Sequence, residues 1–336
     1  MRPASTQYYL PDTLARWPYQ RRLNPHYQAV KADASAWLEG FNALNSEAQD
    51  AFNRCDFNLF AALAYPDANQ ERLRTCCDLM NLFFLYDEYS DREPVEGMER
   101  LSEEIMYALR NPHLPRADGK YVVGEIFRQF WERAIKTGNP VAHQRFVAAF
   151  DEHTKAMIEE AHDRSQQLVR DLDGYLQVRR GTIGAQPAFT ILEFDLDLPA
   201  KVLENAVVKK LILAATDMLS IANDIYSYNV EQARGDDTQN IVTIVMHAEG
   251  LDLHGALEWV KTFHDSIVDR FLVLITELPT WGEAIDRQLA TYVQALGNWV
   301  RSNDSWCFES QRYFGKEGKI IQELRTVALL PKQQNN

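Results

Sequence analysis

Asn223-Asp-Ile-Tyr-Ser227-Tyr-Asn-Val-Glu231 lies in a segment with neither Pro nor Gly until Gly235. The stretch reads as helix, and its spacing of four and four sets an amide, a hydroxyl and a carboxylate on successive turns of one face. These are hard oxygen donors, suited to Mg²⁺ rather than to zinc. Side chains lean toward the helix N-terminus, so the long Glu231 reaches back toward Ser227 and Asn223 and one ion can be shared. Polar residues at helical spacing are most often just a solvated face. Here the preceding run, Leu211-Ile-Leu-Ala-Ala-Thr-Asp-Met-Leu-Ser-Ile-Ala222, is apolar enough for a buried helix. The triplet therefore ends a core element, the rigid setting that a metal site requires.

Upstream, Asn81-Leu-Phe-Phe-Leu-Tyr-Asp87-Glu-Tyr-Ser-Asp91 places Asp87 and Asp91 one above the other, with Phe83 and Phe84 a turn earlier on nearly the same face. A solvated helix end is the ordinary reading of such acids. Carboxylates near a helix C-terminus oppose the macrodipole, however, and a bound cation would explain them. Between the two acidic stretches, Tyr175-Leu-Gln-Val-Arg179-Arg180-Gly181-Thr182-Ile183-Gly184 joins two guanidinium forks to a Gly-rich break, which suits an anion as well as it suits an ordinary surface turn. Near the C-terminus, Trp306-Cys-Phe308-Glu-Ser-Gln-Arg312-Tyr313-Phe314 adds a cation, a phenol and aromatics that core packing alone could account for.

The 336 residues contain 46% hydrophobic side chains and carry a formal charge of −13. That charge argues against nucleic acid or an anionic membrane as partner, and an acidic protein handling a polyanion needs metal ions to reverse the local sign. No linker, repeat or membrane-spanning run appears, so one large domain is expected. Cys55, Cys76, Cys77 and Cys307 have neither metal-finger nor disulfide-framework spacing and read as reduced and buried. With no secretory core at the N-terminus, the cytoplasm is the default location.

The fold class expected is all-α, a single-domain helical bundle. Residues 1–25, rich in Pro and Arg, form a strap over it, residues 26–325 the helical domain, and residues 326–336 a flexible tail. Helices are predicted over 27–40, 47–64, 69–89, 97–109, 122–136, 141–169, 172–180, 187–192, 200–231, 238–249, 253–278 and 281–299, with no sustained strand alternation.

These motifs resemble the class I terpene cyclases, specifically the sesquiterpene synthases of mushroom-forming fungi. The family's D-[DE]-x-x-D motif is met by Asp87-Glu88-Tyr89-Ser90-Asp91, and its N-D-x-x-S-x-x-x-E motif by Asn223, Asp224, Ser227 and Glu231. Arg179 matches the diphosphate sensor, Thr182 and Ile183 the linker and effector positions, and Arg312-Tyr313 the terminal Arg-Tyr pair. One departure stands out: Val230 occupies the place where many relatives carry a diphosphate-binding Lys.

The resemblance implies an α-helical class I fold with a central cavity. It implies three Mg²⁺ ions, replaceable by Mn²⁺, held by Asp87 on one side and Asn223, Ser227 and Glu231 on the other. Asp91 is placed either on the metal or against an arginine, and Glu88 stays outside the ligand set. Arg179, Arg312 and Tyr313 would bind the diphosphate of an isoprenoid, while Phe60, Phe83, Phe84, Trp306 and Phe308 line the pocket for the cation. The implied activity is ionisation and cyclisation of farnesyl diphosphate by a monomer or homodimer. The run Tyr228-Asn-Val-Glu-Gln-Ala-Arg-Gly-Asp-Asp237 resembles the branch of fungal enzymes that closes carbon 1 onto carbon 11, which implies a humulyl-derived, protoilludene-type skeleton. An isoprenyl diphosphate synthase on the same fold is the first alternative, but the second Asp-rich motif it needs is absent. Two others are a metal phosphohydrolase built on His162-Asp163 and His264-Asp265, and a non-catalytic acidic helical scaffold.

Overall fold

The computed structural model describes residues 7–115 and 121–333. The first part of the expected strap, residues 1–6, and the last three residues of the expected tail lie outside the described residues. In chain order the elements are β1 Gln7–Tyr9, α1 Tyr27–Glu39, α2 Ser46–Cys55, α3 Phe57–Ala64, α4 Gln70–Ser90, α5 Val95–Arg110, α6 Val122–Ala134 and α7 Pro140–Gln166. They continue with α8 Leu172–Thr182, α9 Ala185–Leu192, α10 Ala200–Leu203, α11 Ala206–Arg234, α12 Ile241–Glu249, α13 Leu253–Thr276, α14 Glu283–Glu309, α15 Gly318–Leu324 and β2 Thr326–Ala328. The fold class is all-α, and no described helix is long and apolar enough to cross a membrane.

Local chemistry sets the boundaries. Asn69, Asn139, Asp171, Asn240 and Asp252 each accept a backbone N–H at the start of the helix that follows, and Pro140 opens α7 where its missing N–H costs nothing. Two helices expected to be continuous are divided. Asp56, at φ +47°, ends α2 and caps α3 through a 3.0 Å bond from the Leu59 N–H. Asn205 caps α11 through the Val207 N–H at 2.9 Å, which separates off the short α10. In the other direction α14 runs ten residues beyond the predicted end. Its final turns read as polar, but Ser302, Asn303, Asp304 and Ser305 are buried, and Asp304 accepts the Tyr226 hydroxyl at 2.6 Å. Tertiary partners outweigh weak helix propensity there.

α11 is the axis of the bundle. It packs against α13 and α14, while α8, α9 and α12 cover its remaining sides. α4 lies opposite, held by α1, α3 and α6. All four cysteines are free and buried. The strap from residue 7 onward crosses α13 and α14. There the Trp17 indole donates to the Gly297 carbonyl at 3.1 Å, and Arg301 donates to the Tyr19 carbonyl at 2.9 Å. Unlike the sequence expectation of no strand and a loose tail, β1 pairs antiparallel with β2, with Tyr8 opposite Val327. Asn229 and Gln232 of α11 donate to the carbonyls of Ala328 and Leu330. Three-residue strands with one buried residue each are too short for alternation to reveal them.

α7 and α8 pack closely at Gly181, where an added Cβ would stand 2.4 Å from the Cβ of Ala156. Gly181→Ala is expected to force these helices apart and to lower stability by about 1–3 kcal/mol, read as a shift in the denaturant midpoint.

Candidate active site

The last turns of α4 present Phe83, Phe84 and Asp87, with Asp91 at the cap. One face of α11 presents Leu219, Asn223, Ser227 and Glu231, which recur at helical spacing. The break between α8 and α9 supplies Arg179, Thr182 and Ile183, and Gly184 turns the chain there at φ +70°. A side chain at Gly184 would meet the Phe83 ring at 3.1 Å, so glycine is needed both for the conformation and for the space. The segment after α14 brings in Arg312 and Tyr313. All of these groups line one cavity of about 250 Å³ together with Phe60, Met80 and Trp299.

Two of the residues expected to line that cavity do not. Trp306 stands behind Phe60, stacked on it at 4.8 Å with its indole N–H bound to the Cys55 carbonyl at 2.8 Å. Phe308 stacks on Phe314 at 5.2 Å beneath the Arg325 guanidinium. Both are core packing, the ordinary role of buried aromatics. Arg180 also turns outward, to Asp217 at 2.6 Å.

Polar contacts tie the cavity mouth together. The Arg179 side chain donates to the Asn223 amide oxygen at 2.7 Å, to Asp224 at 3.0 Å and to Thr182 at 3.3 Å. Asn223 donates in turn to the Tyr313 hydroxyl at 2.9 Å. Asp224, a motif position to which sequence reasoning gave no role, also accepts the Tyr175 hydroxyl and the Ile241 N–H. Glu231 accepts from Asn240 at 2.9 Å. Opposite, Arg312 approaches Asp87 at 3.4 Å and Glu88 at 3.7 Å, and its guanidinium lies 5.6 Å from the Phe84 ring centre. Glu160 and Arg164 of α7, paired at 3.4 Å, also border the cavity, beside Asp91. Tyr175, Glu160, Arg164 and Asn240 carry no motif. Tyr175 lies one turn before Arg179 on α8, and the other three lie on or at the start of helices beside those that carry the motifs.

Crowding of like charge marks the acids. Asp87 is pushed up to about 6 by burial and by Asp91, although Arg312 pulls the other way, and 43% of its side chain stays accessible from within the cavity. Burial and the neighbouring Asp224 push Glu231 up to about 7 against bonds from Ser227 and Asn240. Asp91 and Glu160 are raised as well, chiefly by burial. A divalent cation would relieve this repulsion. Among the described residues no three His, Cys, Asp or Glu side chains come close enough to hold an ion by themselves. The donors here are instead carboxylates on α4 facing an amide, a hydroxyl and a carboxylate on α11, an oxygen set whose chemistry fits Mg²⁺. The rival metal centre on His-Asp pairs is not assembled: Asp163 is bound by Arg170, and His264 is buried with no side-chain partner.

Known proteins resemble this chain over most of its length. Residues 78–270 match the family model described as terpene synthase family 2, C-terminal metal binding. A Delta(6)-protoilludene synthase of Stereum hirsutum is 50% identical over 330 residues, covering 98% of this chain and 94% of its own. That of Armillaria gallica is 48% identical, covering 98% and 95%. Among solved structures, hedycaryol synthase in complex with HEPES superposes with a TM-score of 0.77 at 21% identity, covering 89% of this chain and 98% of its own. This last likeness is one of fold.

The raised acids give a pH dependence with a definite sign. Glu231 holds its proton more tightly folded, up to about 7, than at its ordinary 4.5, so the metal-free protein should lose stability as pH rises between those values. Glu231→Gln is expected to flatten that decline, measured as denaturant midpoints from pH 5 to about 8 in chelator.

Proposed function

The chain belongs to the terpene synthases, lyases that release diphosphate, and on that premise we propose that it ionises farnesyl diphosphate and closes carbon 1 of the cation onto carbon 11. The product is then a humulyl-derived hydrocarbon of the protoilludene type. The observation that carries this reading is that the Asp87 turn and the Asn223 turn line one cavity together with the apolar side chains of Phe60, Met80, Phe83, Phe84, Leu219 and Trp299. Relatives named as Delta(6)-protoilludene synthases, 47–50% identical over nearly the whole chain, support the skeleton.

Asp87 on one side and Asn223, Ser227 and Glu231 on the other would hold the metal ions, with Asp91 beside them. Three Mg²⁺, replaceable by Mn²⁺, would when bound neutralise the charge that develops on the leaving diphosphate. Arg179 is placed to turn its donors from Asn223 to diphosphate oxygens. Arg312 beside Asp87 and Tyr313 beside Asn223 supply further N–H and O–H donors, so the leaving group is stabilised as its C–O bond breaks. Val230 leaves these donors without the lysine seen in many relatives. Deeper in, Phe60, Phe83, Phe84, Met80, Leu219 and Trp299 exclude water from the cation. Aromatic faces there stabilise positive charge by about 0.5–2 kcal/mol each. Thr182 and Ile183, at the helix break, border the region where the reacting carbon would sit.

Incubation with farnesyl diphosphate and Mg²⁺, followed by gas chromatography and mass spectrometry, should yield a cyclic hydrocarbon. Chain elongation on adding isopentenyl diphosphate would instead favour a prenyl transferase. Asn223→Ala or Glu231→Ala should cut output by about 100-fold or more, with the helical circular dichroism retained. Phe84→Leu should change the product distribution more than turnover, and an unchanged profile removes Phe84 from the cation pocket.

A further inference from the structure

His153 of α7 lines the same cavity. The residue is 4% exposed, and its ring stands edge-on to Phe83, Phe150 and Tyr86, with centroid distances of 5.5, 5.3 and 5.8 Å. Nδ1 lies 2.8 Å from the Gly181 carbonyl oxygen. A carbonyl only accepts, so Nδ1 carries the hydrogen and the lone pair is left on Nε2. No hydrogen bond is made to Nε2 by the described residues, yet this nitrogen is not among the buried atoms sealed off without a partner. It therefore opens onto the cavity that the ring lines. Burial with no acid against the ring pushes its pKa down to about 4, which keeps the imidazole neutral at physiological pH.

Resting on the preceding functional reading, we propose that His153 Nε2 is the base that ends the cyclisation by taking a proton from the last carbocation. A prenyl cation becomes a neutral hydrocarbon only by giving up a proton. The C–H bond beside the cationic carbon breaks, its electron pair becomes the new C=C bond, and the proton binds Nε2. The imidazolium so formed keeps its Nδ1–H bond to Gly181, and Nε2 gives the proton up to water when the product leaves the cavity. A weakly basic imidazole suffices, because a C–H next to a carbocation is a far stronger acid than imidazolium. Other polar groups along the wall are committed elsewhere or not basic. The Tyr86 hydroxyl is bound to Ser102 at 2.8 Å, Thr182 accepts from Arg179, and Asn303 offers a neutral amide.

The test compares the wild type with His153→Phe, which keeps a ring and loses the lone pair, and with His153→Ala supplemented by imidazole or by pyrrole. Products from farnesyl diphosphate and Mg²⁺ are resolved by gas chromatography and mass spectrometry, and released pyrophosphate is counted alongside. If the wild type makes no cyclic hydrocarbon, the functional reading falls and this inference with it. Given wild-type product, His153→Phe should lower the parent hydrocarbon's share of all products by about 10-fold or more, with isomeric alkenes and alcohols in its place. Pyrophosphate release should fall less than that share. Imidazole should restore the parent product in His153→Ala, whereas pyrrole, which fills the space and donates an N–H but has no basic nitrogen, should not. Parent product in wild-type proportion from His153→Phe, or equal recovery with both additives, would overturn the assignment.

Discussion

The buried contact between Arg179 and Asp224 is the constraint on which the site depends. One Asp224 oxygen takes the Arg179 guanidinium, while the other takes the Tyr175 hydroxyl and the Ile241 N–H at 2.8 Å. Through that single carboxylate, α8, α11 and the start of α12 are fixed to one another. Arg179 then grips Asn223, and Asn223 grips Tyr313, so the network continues into the segment after α14. Four elements distant in sequence are thus registered by one chain of hydrogen bonds, charge-assisted at Asp224 and Arg179 and neutral between Asn223 and Tyr313. Removal of either charge would leave the other buried and uncompensated, which is far costlier than the pair itself is stabilising.

The same bonds engage the donors that the proposed function calls on. Arg179 occupies the amide oxygen that the metal would use, and Arg312 leans on Asp87. These internal cations partly balance the acids. On the proposed function, metal ions and diphosphate would take over together: the oxygen donors would hold the ions, and Arg179 and Arg312 would turn their guanidinium forks to the phosphate oxygens. Each exchange alone would then be unfavourable, because the metal by itself would strand two arginines and the anion by itself would face Asp87, Asp91 and Glu231.

Much of this was legible because it is periodic or contiguous. The Asn223-Ser227-Glu231 face, the Asp87 turn and the Gly-rich break beside Arg179 each declare themselves within one or two helical turns. What periodicity leaves open is the rotation of a helix relative to its neighbours. Phe84 and Trp306 are equally apolar and equally helical, yet one lines the cavity and the other packs behind Phe60, a distinction that arises from interhelical packing alone. His153, Tyr175 and Asn240 lie outside any motif, and their roles come from contacts with Gly181, Asp224 and Glu231. The polar end of α14 and the short β1–β2 pairing were hidden for a related reason, since their stability comes from partners far along the chain.

The coupling of metal and diphosphate is the centre of this account, and thermal unfolding with inorganic pyrophosphate and Mg²⁺, each alone and together, measures it most directly. The expected result is little stabilisation by either alone and a rise in midpoint with both that exceeds the sum of the separate effects. Equal stabilisation by pyrophosphate in Mg²⁺ and in chelator would contradict the account, because the α4 and α11 oxygens would then have no part in holding the anion.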